Sequence, residues 1–168
     1  MTPSRGNTQV ILEGKGPAVL RPNDHIATGG EGSIYRVANL AVKIYLDPAK
    51  QRAAGLPEKI KLLSSFDHPY IAAPKGVVLN QAHEPIGHYL PFVEGHALSL
   101  VFTKDFWLKE SFDVAKASTL AHHIQEAVRF AHDHRAIMVD ANELNWFALL
   151  NGAGPEPRVV DEIGRAHV

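Results

Sequence analysis

The sequence predicts an α+β protein, with an antiparallel, β-rich N-terminal part and a mostly helical C-terminal part. Short apolar runs separated by Gly, Pro and Asn dominate up to about residue 95. Beyond that point apolar residues recur at helical spacing, above all in residues 114–134. A length of 168 residues and a hydrophobic content of 45% are enough for a buried core.

The N-terminal part begins with residues 1–22, which are rich in Gly and Pro and predict a loose lead-in with at most an edge strand. A turn is expected at Ala38-Asn39, between two strands. The elements predicted after the lead-in are strands over 34–38 and 40–46, a helix over 56–65, and strands over 76–79 and 86–93. Gly95 marks the end of this part, so we expect a domain over residues 23–95.

The C-terminal part, residues 96–168, is expected to form the second domain, which is minimal and mostly helical. Its longest periodic segment, residues 114–134, predicts an amphipathic helix. The other predicted elements are a short helix over 98–106, a strand over 146–150, a turn over 151–155 and a strand over 158–161. A small hairpin therefore follows the long helix.

The composition excludes several classes of protein. Lys and Arg number 17 against 18 Asp and Glu, so the net charge of −1 disfavours a nucleic-acid-binding protein. The absence of cysteine excludes disulfides and Cys-based zinc sites. No apolar run is long enough to span a membrane, and the N-terminus does not resemble a signal peptide, so we expect a cytoplasmic protein.

Two pairs of the ten histidines lie on the predicted long helix, His122-His123 and His132-x-His134. Histidines at near-helical spacing can share a zinc ion. No cysteine or suitably spaced carboxylate completes a tetrahedral set. Histidines on the helix surface or at the helix end are therefore the preferred interpretation.

The first segment that suggests chemistry is Gly29-Gly30-Glu31-Gly32. Glycines allow a backbone to approach phosphate oxygens closely and to present its N–H groups. A plain turn between strands is the alternative. The segment lacks the Gly-Lys-Ser/Thr of a Walker loop, and a strand rather than a helix is expected to follow it, unlike in a Rossmann fold.

The second segment is Ala41-Val42-Lys43 in the following strand. A lysine within an apolar strand loses hydration energy unless its charge is paired. It could instead lie at a strand edge with its ammonium group in water. A lysine that holds the phosphates of ATP would need a carboxylate to fix it, and Glu58 in the next helix is the expected partner.

The third set comprises Asp140, Asn145 and, after the small hairpin, Asp161. Carboxylate and amide oxygens are the hard ligands that Mg²⁺ prefers. Any one of the three could simply form a turn. Their order after a glycine-rich hairpin and a strand lysine favours a magnesium-dependent nucleotide site.

Taken together, these motifs resemble the protein-kinase superfamily, and the chain is similar to bacterial eukaryotic-like Ser/Thr kinases with a GGEGxxY loop. The resemblance runs in order through nearly the whole chain. The matching segments are Gly30-x-Gly32-x-x-Tyr35-x-Val37, Ala41-x-Lys43, Glu58, His68-Pro69-Tyr70-Ile71, Leu90-Pro91-Phe92-Val93-Glu94-Gly95, Asp140 to Asn145, and Asp161.

The resemblance implies a role for each of these residues. Lys43, fixed by Glu58, would hold the α- and β-phosphates of ATP. Asp140 would accept the proton of the acceptor hydroxyl, while Asn145 and Asp161 would hold Mg²⁺. The nucleotide-binding residues implied are Gly30 and Gly32 over the phosphates, Val37 and Ala41 in the strands, Leu90 as gatekeeper, and Pro91 and Val93 in the hinge that binds adenine.

The sequence also departs from the family pattern. Met138 stands where a catalytic-loop histidine is usual, Asn142 replaces a loop lysine, and Glu162 follows Asp161 in place of Phe. The sequence ends at Val168, before the usual activation segment. We therefore expect a homodimer or a complementing partner to cover the long helix, unless the protein is natively minimal.

Three functions follow from the resemblance. The first is an ATP- and Mg²⁺-dependent phosphotransferase, a minimal Ser/Thr protein kinase able to phosphorylate itself. The second is a nucleotide-binding pseudokinase that regulates a partner. The third, a small-molecule kinase, is less favoured because its substrate-binding helices would follow the catalytic loop.

Overall fold

The computed structural model describes residues 6–138, 142–152, 154–160 and 163–165, and it shows the mixed α+β architecture that the sequence predicts. The chain divides into two compact units. The first comprises residues 1–66 and 73–92, and the second comprises residues 67–72 and 93–168. Among the described residues, no helix is long and apolar enough to cross a membrane.

The first unit is a curled antiparallel sheet of seven strands with two short helices. The strands are β1 (Thr8–Leu12), β2 (Gly16–Leu20), β3 (His25–Thr28), β4 (Gly32–Val37), β5 (Leu40–Tyr45), β6 (Gly76–Leu79) and β7 (Pro85–Pro91), and the helices are α1 (Pro48–Ala53) and α2 (Leu56–Leu63). The strand order is β2-β1-β6-β7-β5-β4-β3. The predicted strands of this unit are thereby confirmed, with ends shifted by up to two residues.

The two faces of this sheet are both covered, but by different partners. On one face the sheet closes around an apolar cluster whose buried members are Val10, Leu12, Leu20, Val42, Val78 and Tyr89. On the other face Tyr45 and Val77 pack against Leu56 and Ile60 of α2. Side chains alternate between the faces along β5, so neighbouring residues enter different environments.

The expectation of a loose lead-in over residues 1–22 is wrong. Strand β1 lies between β2 and β6, and Val10 and Leu20 are 1% and 2% exposed. The Gly and Pro residues that suggested a loop have local roles. Gly14 lies in the turn with a φ of 73°, and Pro17 lies on β2, the outermost strand, where a missing N–H is tolerated.

The second unit is built around the long helix α5 (Val114–Asp133), as the periodicity predicts. Asp113 begins the helix, because its carboxylate accepts the Lys116 N–H at 2.8 Å. The other elements are β8 (His96–Ala97), α3 (Leu98–Val101), α4 (Lys104–Lys109), β9 (Ala136–Met138), β10 (Trp146–Asn151), β11 (Gly154–Val159) and β12 (Ile163–Arg165). The strands form two small sheets, ordered β11-β10-β8 and β12-β9.

The helix predicted over residues 98–106 is in fact two short helices, α3 and α4. Thr103 separates them, and its hydroxyl accepts the Phe106 N–H at 3.3 Å. Threonine in this position starts a new helix because its side chain satisfies an otherwise unpaired backbone donor.

We expect the β1–β2 hairpin to contribute to stability through its core residues. Val10→Ala should lower the free energy of unfolding by about 2 kcal/mol, because it removes two buried methyl groups and leaves a cavity. Val19→Ala is the matched control, since Val19 is 36% exposed and should cost under about 0.5 kcal/mol. Urea denaturation measures both values. Equal effects of the two substitutions would contradict the structural role of this hairpin.

Candidate functional site

The glycine-rich segment forms the tight turn between β3 and β4. The Gly29 N–H donates to the Gly32 carbonyl at 2.9 Å and closes the turn. A side chain at Gly32 would overlap the Ile44 carbonyl of β5, whereas side chains at Gly29 and Gly30 would meet open space. Packing therefore requires only Gly32, and the surface above Gly30 is open to a bound group.

Hydrogen bonds anchor both ends of this turn. Thr28 Oγ1 lies 2.9 Å from Ser33 Oγ and 2.8 Å from His25 Nε2. The Leu46 N–H donates to the Glu31 carbonyl at 2.8 Å. The backbone of the turn is therefore fixed to β5 and to its own strands.

Lys43 lies on β5, an interior strand, so the edge-strand alternative is excluded. Its side chain is 16% exposed, and Nζ lies 3.4 Å from Oε2 of Glu31 in the glycine turn. Nζ also lies 5.3 Å from the centroid of the Tyr45 ring. A carboxylate and an aromatic face thus compensate the partial desolvation of the ammonium group.

Glu58, the partner expected for Lys43, lies in the first turn of α2 and is exposed. Leu56 and Ile60 form the buried side of this helix. Glu58 is two positions from each, about 200° around the helix, and therefore points away from that side. The pairing of Lys43 with Glu58 stays a prediction, while the structure places Glu31 beside the ammonium group.

The strand register decides which residues share a face with Lys43. Ile34 on β4 and His88 on β7 are its direct neighbours across the sheet. Ala41, two residues earlier, pairs with Leu90 and also shares this face. Val37 pairs with Leu40, so the structure separates it from Lys43 and packs it against the apolar cluster instead.

His88 is a second buried polar residue on this face, only 7% exposed. Its Nδ1 lies 3.1 Å from the Tyr45 hydroxyl. Neither His88 nor Ile34 was among the site residues predicted from the sequence. The predicted turn at Ala38-Asn39 contained the information for Ile34, because a two-residue turn fixes which positions pair across the β4–β5 hairpin. His88 lies on β7, outside that hairpin, so its position depends on the assembled sheet.

The segment expected to form the hinge begins in the last two residues of β7 and continues beyond the strand. Leu90 is 6% exposed, and Pro91, the last residue of the strand, is exposed. The Phe92 N–H donates to the Asn39 carbonyl at 2.8 Å. Val93 belongs to the second unit.

In the second unit, Asn145 ends a tight turn that leads into β10. The Asn142 side chain accepts the Leu144 N–H at 2.8 Å, and the Asn142 carbonyl accepts the Asn145 N–H at 3.1 Å. The Asn145 carbonyl accepts the Val160 N–H at 3.0 Å. Trp146, 3% exposed, anchors this turn in the core of its unit.

Asp140 and Asp161 lie outside the described residues. Asp161 directly follows Val160 in the sequence, and the Val160 N–H donates a hydrogen bond to the Asn145 carbonyl. Within the described ranges, no three His, Asp or Glu side chains form a group that could hold a metal.

An apolar cavity of about 140 Å³ lies between α3, α4 and α5. Its lining includes Leu98, Trp107 and Leu120, and its rim includes Phe102, which is 72% exposed. The cavity adjoins the apolar side of α5. The lining carries no acid, base or nucleophile, so we assign no chemistry to it.

Residues 67–72 pack along α5 through their rings. The His68 ring lies 4.6 Å from that of Phe130, and the Tyr70 ring stacks on His123 at 4.7 Å between centroids. The same segment is bonded to the end of β11, since the Val159 N–H donates to the Tyr70 carbonyl at 3.0 Å. It therefore joins α5 to the strand that precedes Val160 and Asp161.

His68 is neutral in this arrangement. Its Nδ1 accepts the Tyr70 N–H at 3.2 Å, which requires an unprotonated nitrogen. Burial lowers the pKa of His68 from its ordinary value of 6.5, and the charge of Glu126 partly opposes this. Protonation would replace the acceptor by a donor and break the bond.

No protein-family model matches the chain, and no curated protein matches it.

Gly30 and Gly32 should differ in how strongly an alanine substitution destabilises the fold. Gly32→Ala should lower the free energy of unfolding by about 1–3 kcal/mol, because the new methyl group overlaps the Ile44 carbonyl. Gly30→Ala is the control with the same chemical change and open space around it. Thermal and urea denaturation measure both. A Gly30→Ala variant as destabilised as Gly32→Ala would contradict this distinction.

His68 makes stability depend on pH in a defined direction. In the unfolded chain this residue binds a proton near its ordinary pKa of 6.5, whereas in the folded chain its pKa is lower. The free energy of unfolding should therefore fall as the pH drops below that value. In His68→Asn, whose amide oxygen can still accept the Tyr70 N–H, this fall should be smaller. Denaturation midpoints of both proteins between about pH 5 and pH 8 measure it, and parallel curves would contradict the assignment.

Proposed function

We propose that this chain is a minimal kinase-like phosphotransferase, which transfers the γ-phosphoryl group of ATP to a Ser or Thr hydroxyl of a protein, itself included. The observation that carries the proposal is Lys43, largely buried on an interior strand and placed beside the glycine turn. A buried cation next to an open glycine backbone suits an anionic ligand such as a polyphosphate.

The residues around Lys43 support the nucleotide as this ligand. Ala41 and Leu90 lie on the same face and offer an apolar surface to a base. Ile34, directly opposite Lys43, takes the place that the sequence analysis gave to Val37. The backbone of residues 91–93 would then contact the adenine edge, through the Pro91 carbonyl and the Val93 N–H.

In the proposed reaction, Asn145 and Asp161 would hold the metal and Asp140 would be the base. Asn145 and Asp161 offer amide and carboxylate oxygens, the donor set that Mg²⁺ prefers. Mg²⁺ bound there would neutralise phosphate charge during the transfer. Asp140 would accept the proton of the acceptor hydroxyl while the hydroxyl oxygen forms a bond to the γ-phosphorus. The bond between that phosphorus and the bridging oxygen would break, and ADP would leave.

One observation favours a nucleotide-binding pseudokinase as the second candidate. Lys43 lies beside Glu31, and Glu58 is exposed on α2. An ion pair between lysine and the helix glutamate is part of the active arrangement in kinases. A protein that binds ATP without transferring phosphate would retain Lys43 and would not need that pair.

Phosphate transfer and nucleotide binding should respond differently to two substitutions. Lys43→Met should weaken ATP binding at least about ten-fold, because it removes the cation that faces the phosphates. Asp140→Ala should leave binding intact and lower the rate of transfer about 10²- to 10⁴-fold. Calorimetry with ATP and Mg²⁺ measures binding, and labelled ATP with a generic protein substrate measures transfer.

Lys61→Met is the matched control, since Lys61 is an exposed lysine on α2. It should behave like the unmodified chain in both assays. Binding without any Asp140-dependent transfer would leave the pseudokinase. A chain that binds no ATP in the presence of Mg²⁺ would overturn both candidates.

A further inference from the structure

We infer that the Glu31 carboxylate competes with nucleotide phosphates for the Lys43 ammonium group. Glu31 contacts this group in the free protein and is displaced when the phosphates bind. This inference rests on the proposed function and adds a regulatory contact to the same site. The ligand class concerned is a nucleoside di- or triphosphate. The contact that carries the inference is the 3.4 Å approach of Lys43 Nζ to Glu31 Oε2.

The two partners differ in their freedom to move. The Lys43 side chain is 16% exposed and extends from an interior strand, whereas the Glu31 side chain is 59% exposed. The Glu31 backbone is held by the Leu46 N–H at 2.8 Å. The carboxylate can therefore swing into solvent through side-chain rotation alone, while the turn and Lys43 stay in place.

Charge favours this movement when a phosphate binds. A phosphate group at hydrogen-bonding distance from Nζ would lie within a few ångströms of the Glu31 carboxylate. Two anions that close repel each other, and the repulsion is stronger where water is partly excluded. The glycine neighbours Gly30 and Gly32 add no side chain that could screen them. The Glu31 carboxylate therefore competes with a phosphate for the Lys43 ammonium group and weakens phosphate binding.

This arrangement predicts that ATP binds more tightly when the negative charge of Glu31 is removed. Glu31→Gln keeps the size of the side chain and removes its charge, so it should bind ATP in the presence of Mg²⁺ about five-fold more tightly than the unmodified chain. Adenosine, which has no phosphate, should bind both proteins equally. In a Lys43→Met background the Glu31→Gln change should tighten ATP binding much less.

Glu84→Gln is the matched control. It makes the same change in the β6–β7 turn, where Glu84 accepts a hydrogen bond from Asn80 at 2.9 Å. It should leave the ATP affinity unchanged, which separates the local contact from a general effect of net charge. Calorimetric titrations of the five proteins with ATP in the presence of Mg²⁺, and of the unmodified and Glu31→Gln chains with adenosine, give the required constants.

Each outcome bears on the inference. Tighter ATP binding by Glu31→Gln alone, lost in the Lys43→Met background, supports it. Unchanged or weaker ATP binding by Glu31→Gln, with normal binding by the unmodified chain, overturns it and leaves the proposed function standing. Equal tightening by Glu84→Gln or equal tightening toward adenosine also overturns it. If the unmodified chain binds no ATP, the proposed function fails and the inference fails with it.

Discussion

The alternation of side chains along β5 is the constraint on which the first unit depends. Val42 is fully buried in the apolar cluster, and its neighbour Lys43 enters the opposite face. A shift of register by one residue would place the lysine in the core and the valine outside it. The free energy of the hydrophobic core therefore also fixes the position of the ammonium group. A substitution that shifts β5 should therefore change both the stability of the fold and the position of Lys43.

Two glycines hold β5 in that register from both sides. A side chain at Gly32 on β4 would overlap the Ile44 carbonyl, and one at Gly87 on β7 would overlap the Lys43 carbonyl. Both neighbouring strands therefore approach the β5 backbone more closely than a residue with a side chain would allow. Close packing on both edges makes the strand resistant to displacement. A lysine on such a strand is preorganised, which lowers the cost of ordering it around a ligand.

Elements with a strong local signal could be predicted from the sequence, and those fixed by tertiary contacts could not. The amphipathic α5 and the strands beside the Ala38-Asn39 turn follow from local pattern. The β1–β2 hairpin was missed because the glycines of its turn and a proline on an outer strand resemble a loop until the sheet is assembled. In the site, the pairing of Lys43 with Glu31 depends on the fold of the glycine turn, which composition does not reveal. The position of Val37 was predictable, because a two-residue turn already places it opposite Leu40 and away from Lys43.

Backbone hydrogen bonds and ring contacts also fix loops in the second unit. The Asn145 carbonyl accepts the Val160 N–H, so two loops that are distant in sequence are joined by a backbone hydrogen bond. The ring contacts of His68 and Tyr70 with α5 support the segment that is bonded to the end of β11. A reaction that depends on positioning and charge needs this kind of backbone support, because its groups do little covalent chemistry themselves. The exposed Glu31 carboxylate differs from these fixed groups, and in the proposed competition its freedom to rotate would let it leave Lys43 when a phosphate binds.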